Sequence, residues 1–164
     1  TRTQREGERN GENYYFVDDP QFDQMIKDGE FLEHADVFGK RYGSSRNEVD
    51  RCRAEGKDVI LEIDWQGADQ VRRILPDAVS VFILPPSMAE LESRLRGRGQ
   101  DSQDAISTRL AEAETDIAQA KRYDYLVVNE DFKRAHTELL SIVQSARLRQ
   151  ERQSKRAAVA KLLG

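Results

Sequence analysis

Three short apolar runs rich in β-branched residues, at 59–63, 79–84 and 125–128, each lead into helical periodicity or a helix-start signal. That alternation predicts an α/β protein built as a three-layer parallel sheet with helices on both faces. The first half of the chain carries shorter, weakly alternating runs separated by Gly. They predict a small mixed-sheet insert beside the main sheet.

The totals fit this class. A chain of 164 residues is long enough for one α/β domain with a real core. Charged residues make up 34% of it, yet the net charge is only -4, so no strong field draws it to nucleic acid or to a membrane. The single Cys52 excludes an internal disulfide framework, and His34 and His136 lie too far apart in sequence for a zinc pattern. No apolar run approaches a membrane span, and no apolar signal core stands at the start. The composition predicts a soluble, cytoplasmic protein.

The elements follow in order. Residues 1–13 are polar, with Arg2, Arg5 and Arg9 among turn-forming glycines. They read as a solvated tail or as a loop whose guanidiniums clamp a phosphate, the tail being the commoner case. Residues 14–17 are a strand candidate. Asp19-Pro20 predicts a helix start, with Asp as N-cap, and Gly29 its end. Residues 31–37 predict a strand, turned by Gly39-Lys40 into Arg41-Tyr42-Gly43-Ser44. Glu33 sits within that strand, where the wet face is its ordinary place. Ser45 with Glu48, and Ser87 with Glu90, are capping-box signals opening two helices. Pro85-Pro86 stop the second apolar run. Ile106, Leu110, Ala113 and Ile117 mark a further helix flanked by Arg109. Asn129 ends the third run, and Phe132 through Ala146 predict a long amphipathic helix.

The run Val59-Ile60-Leu61-Glu62-Ile63-Asp64-Trp65-Gln66-Gly67 is the centre of the pattern. It predicts a strand buried on both faces, with Glu62 and Asp64 emerging at its carboxyl end, where open α/β sheets bind ligands. There, carboxylates hold a hydrated cation or a polar substrate, or they simply cap the next helix or face water.

In this order, Thr1-Arg2 with Arg5 and Gly7-Glu8, Gly11-Glu12-Asn13-Tyr14, Phe31-Leu32-Glu33, Tyr42-Gly43-Ser44, Ile63-Asp64-Trp65-Gln66-Gly67, Pro85-Pro86-Ser87 and Arg94-Leu95-Arg96-Gly97-Arg98-Gly99 make the chain resemble guanylate kinase, a nucleoside-monophosphate kinase of the P-loop class. The resemblance runs along essentially the whole chain. It implies transfer of the γ-phosphoryl of ATP to GMP, with Mg²⁺ arriving on ATP and no metal site made by protein alone. It implies that Arg2, Arg5, Tyr14 and Tyr42 hold the GMP phosphate and that Glu33 and Ser44 read the guanine. Asp64 assists in guanine recognition or in the Mg²⁺ shell, with Glu62 close by. Arg94, Arg98 and Arg109 belong to a mobile lid that meets the transferring phosphoryl group, and Asn129 marks an adenine edge. The implied divisions are a GMP-binding region at 1–46, a core at 47–93 and 122–164, and a lid at 94–121. A homo-oligomer is left open by the long C-terminal helix.

One departure stands beside these agreements. The pattern G-x-x-x-x-G-K-[ST], whose backbone N–H groups cradle ATP phosphates, does not occur in the 164 residues. The expectation is an upstream segment that carries it, and no ATP turnover by the chain as given. A non-catalytic guanylate-kinase-like module that binds phosphopeptides is the alternative.

Overall fold

The computed structural model describes residues 1–99 and 102–163. Its residues form two compact units, Thr1–Ala78 and Val79–Gly164. Of the expected lid, residues 100 and 101 lie outside the described residues.

In the first unit, α1 (Asp19–Lys27) begins at the expected cap itself, one residue before the expected first helical position. Asp18 is the N-cap, and its carboxylate accepts from the Gln21 N–H at 2.8 Å while the Gln21 side chain accepts from the Asp18 N–H at 3.1 Å. That reciprocal pair satisfies two orphan donors, so Asp18 outcompetes Asp19 for the position. The expected strand at 14–17 does not form. Its backbone is satisfied by the preceding loop instead: Gly11 N–H donates to Tyr14 O at 2.8 Å, and Phe16 N–H donates to Asn10 Oδ1 at 2.8 Å.

β1 (Phe31–Val37) and β2 (Lys40–Ser45) form an antiparallel hairpin. The expected mixed insert is therefore purely antiparallel. Its turn is Phe38-Gly39, one residue earlier than predicted, with φ of 51° and 71°. Two consecutive left-handed residues match the twist of a two-residue hairpin, and Gly39 supplies one of them without strain. β2 runs directly into α2 (Arg46–Ala54), whose N-cap Ser45 accepts from the Glu48 N–H at 3.3 Å.

α3 (Trp65–Ile74) lies against β1. The core of this unit gathers Leu32, Val49 and Val71, with Leu61, Ile63, Leu75 and Ala78 packed around them. Residues 59–63 enter that packing through Leu61 and Ile63 alone. They form no ladder, and Ile60 is 73% exposed, so the strand buried on both faces is not found. Among the described residues no strand pairs with this run, and an extended segment without a partner leaves alternate side chains in water.

The second unit centres on β3 (Val81–Leu84) and β4 (Tyr125–Val128), which pair in parallel, as the sequence pattern requires. β3 starts two residues late because Ser80 is used otherwise. Its N–H and hydroxyl both donate to Asp124 Oδ2, at 2.8 and 2.7 Å, clamping the ends of the two strands together. Val127 is buried, but Ile83 beside it on one face and Leu126 on the other are each 53% exposed, so neither face of this pair is fully covered as expected. The helices are α4 (Met88–Gly97), α5 (Gln103–Ala118), α6 (Phe132–Leu148), α7 (Gln150–Gln153) and α8 (Ala157–Leu163). Ser87, Ser102 and Asp131 cap the first three by accepting from the N–H three residues on. Among the described residues no helix is long and apolar enough to cross a membrane.

Candidate functional site

The hairpin register decides the site. Glu33 on β1 stands opposite Ser44 on β2. The Ser44 hydroxyl donates to Glu33 Oε1 at 2.6 Å. Glu33 is 4% exposed, the one charged side chain buried to this degree among the described residues. The ordinary reading of a strand carboxylate on the wet face thus fails here. Burial pushes the Glu33 carboxyl above the usual range; the Ser44 hydroxyl opposes this, and the nearby charge of Asp64 adds to it.

Helix α3 makes the burial possible. A Cβ at Gly67 would overlap Glu33 Oε2, so only glycine lets the carboxylate lie against the first turn. Asp64 is the N-cap of that turn: Oδ1 accepts from the Gly67 N–H at 2.9 Å and Oδ2 from the Gln66 amide at 3.0 Å. Asp64 thus caps α3, and the cap sets it beside Glu33. Glu62, by contrast, is exposed. Among the described residues no three His, Cys, Asp or Glu side chains converge as a metal cage.

A second cluster forms along the same face of β2, since Tyr42 and Ser44 are two residues apart on one strand. The rings of Tyr42 and Tyr14 meet edge to face with centroids 6.2 Å apart. The Arg2 guanidinium lies over Tyr14, 5.1 Å from its centroid, and over Phe16 at 5.5 Å. Glu8 grips Arg2 with both oxygens, one bond measuring 2.7 Å, and Glu8 also accepts from the Arg5 N–H at 2.8 Å. These donors hold the Glu8 carboxyl down to about 2. Arg2, Tyr14 and Tyr42 are therefore brought together, while the exposed Arg5 is tied to them through its backbone. Residues 1–13 are an organised loop here rather than a loose tail.

In the other unit, Arg94 on α4 reaches the end of β4. It donates to Asn129 O at 2.6 Å and Glu130 O at 3.3 Å, and it also pairs with Glu90 at 2.6 Å. Arg98 is the exposed C-cap residue of the same helix, and Arg109 is half-buried on α5.

Sequence reasoning assigned no role to Glu8, Gly67 or Gln70. A glycine three residues after a helix N-cap was a usable signal for close approach. Glu8 and Gln70 gave none, because their partners lie across turns or on another element.

Residues 1–146 match the guanylate kinase family. The chain is similar to guanylate kinase of Escherichia coli (strain K12), 51% identical over 165 residues, which cover 99% of this chain and 80% of that protein. It is likewise similar to guanylate kinase of Photorhabdus laumondii, also 51% identical with the same coverage. Among solved structures, guanylate kinase from Anaplasma phagocytophilum superposes with a TM-score of 0.80 at 36% identity, covering 93% of this chain and 74% of that one.

Proposed function

The chain belongs to the guanylate kinase family, and we propose that its buried Glu33–Ser44 pair is the part that selects guanine. The enzyme transfers the γ-phosphoryl of ATP to GMP, giving ADP and GDP. Its fold is of the P-loop kinase-like α/β type. No observation favours a phosphopeptide-binding module.

The observation that carries the residue assignments is the pairing of Glu33 with Ser44 beside Gly67. Guanine offers a ring N–H and an exocyclic amine on one edge, and a carboxylate with a free oxygen accepts from both. The Ser44 hydroxyl turns from Glu33 toward the guanine O6. Adenine lacks the ring N–H, so it leaves the buried Glu33 unpaired, which is a large penalty. Arg2, Tyr14 and Tyr42 take the phosphate, with Arg5 joining from the exposed side; guanidinium and phenol donors suit a dianion. Asp64 raises the negative potential around the guanine amine.

Arg98 and Arg109 act on the transferring phosphoryl from the lid, and Arg94 anchors the lid's base at β4 while reaching toward the same charge. Phosphoryl transfer depends mostly on positioning and charge neutralisation, so arginines suffice. Mg²⁺ comes with ATP as part of the substrate. The donor set fits that arrangement: Asp64 is occupied by its cap and Glu62 is the remaining carboxylate that can meet a hydrated ion. Asn129 is the adenine edge. The functional divisions are 1–46 for GMP, 47–93 with 122–164 for the core and 94–121 for the lid. The parallel β3–β4 pair supports the three-layer parallel sheet for that core, and the cytoplasm is the place of action.

Titrating GMP and AMP against the protein by calorimetry tests the reading. Tight GMP binding with weak AMP binding supports it; equal binding of both nucleotides overturns it.

A further inference from the structure

Helix α3 does more than make room for Glu33. Among the described residues β1 pairs with β2 along one edge, and its other edge faces α3. There the Gln70 amide makes both bonds a neighbouring strand would make. Its Nε2 donates to His34 O at 2.7 Å, and its Oε1 accepts from the His34 N–H at 3.2 Å. Gln66, one turn earlier, donates weakly to Asp36 O at 3.4 Å. Four helical residues rise ~6 Å and two strand residues ~6.6 Å, so glutamines at i and i+4 keep step with strand residues at j and j−2.

We propose that Gln70 is a specificity-positioning residue, which fixes the Glu33–His34 peptide against α3 and so sets where the guanine-reading carboxylate stands. The peptide plane between Glu33 and His34 carries the His34 N–H, and holding that N–H fixes the backbone from which the Glu33 side chain leaves. Gly67, three residues before Gln70 on the same helix face, admits the carboxylate. One helix surface thus supplies both the space and the register. The inference rests on the reading of Glu33 as the guanine acceptor.

The test measures Kd for GMP and for inosine monophosphate, which lacks the exocyclic amine, in the parent, Gln70→Leu and Glu33→Gln. Gln70→Leu keeps the bulk and removes both bonds to His34. The expected result is a GMP affinity lowered about tenfold, with inosine monophosphate affected much less, since small misplacements of a reading group cost large factors. The GMP preference then shrinks toward that of Glu33→Gln. A residue that only seals the strand edge would lower thermal stability and leave the preference intact, and that result overturns the proposal. Should Gln70→Leu not fold, Gln70→Lys is read the same way, because it keeps a donor for His34 O and loses the acceptor for the His34 N–H; an unchanged preference there also overturns it. A preference kept in Glu33→Gln overturns the Glu33 reading and this inference together. One lost there but kept in Gln70→Leu overturns the positioning role alone.

Discussion

The Ser44 hydroxyl and the Glu33 carboxylate face each other across one antiparallel ladder, 2.6 Å apart, with the carboxylate cut off from water. A hydroxyl alone is poor compensation for a buried charge. The pair therefore has capacity for additional donors, which guanine would supply under the proposed reading.

Glu33→Gln keeps the shape and replaces an acceptor by a donor. GMP affinity should fall by roughly ten- to a hundredfold, the usual range for a lost charged hydrogen bond, and the preference over AMP should collapse. Isothermal titration with both nucleotides decides it; an unchanged preference sinks the assignment.

The raised Glu33 carboxyl fixes the sign of a pH effect. Folded protein holds this proton to higher pH than unfolded chain does. The Glu33 contribution is therefore most favourable at acid pH and is lost as pH climbs from the ordinary carboxylate range through the raised value. The stability difference between Glu33→Gln and the parent should grow in favour of the variant from pH 4 to pH 7. Denaturant melts at both values measure it. GMP binding should weaken on acidification through the same window.

Gly67→Ala places a methyl on Glu33 Oε2. Overpacking of this kind costs about 1–3 kcal/mol, and the carboxylate must leave its seat. Lower thermal stability together with weaker GMP binding is expected, while a variant that binds GMP like the parent would show that the close approach is not needed.

Glu8 works with the opposite sign. Its carboxyl is held down to about 2 by Arg2 first and by the Arg5 N–H second. Its contribution is present above the ordinary value of 4.5 and disappears as pH falls toward about 2. Parent and Glu8→Gln should differ in stability at pH 7 and converge in strong acid. At neutral pH the variant should also bind GMP more weakly, because Arg2 loses the partner that aims it.

In protein that also carries the ATP phosphate loop, the lid arginines should separate. Arg98 is exposed, so Arg98→Ala should lower turnover by about a thousandfold or more, as for arginines that meet a transferring phosphoryl, without changing the melting temperature. Arg94 also satisfies the carbonyls of Asn129 and Glu130. Arg94→Ala should lower turnover and cost about 1–3 kcal/mol of stability. Equal melting temperatures for the two variants would refute the anchoring role.

Local signals in the chain were enough for its local structure. Ser45, Ser87 and the Gly29 stop mark helix ends because capping is a matter of a few adjacent residues. Val81–Leu84 and Tyr125–Val128 were legible as strands from their β-branched runs, and their parallel pairing from the helices between them. The motif order also named Glu33, Ser44 and Asp64 as a set. What the sequence could not decide were the relationships that depend on distant backbone. Residues 59–63 have a strand's composition yet no ladder partner among the described residues, since pairing is a property of neighbours and not of the run itself. Glu33 is buried because β2 puts Ser44 opposite it, Gly67 leaves a gap in α3 and Gln70 holds the adjoining peptide. Residue types alone carry propensity and hydrogen-bonding capacity. Burial, and with it the raised proton affinity of Glu33, exists only once β2 and α3 close around the β1 carboxylate.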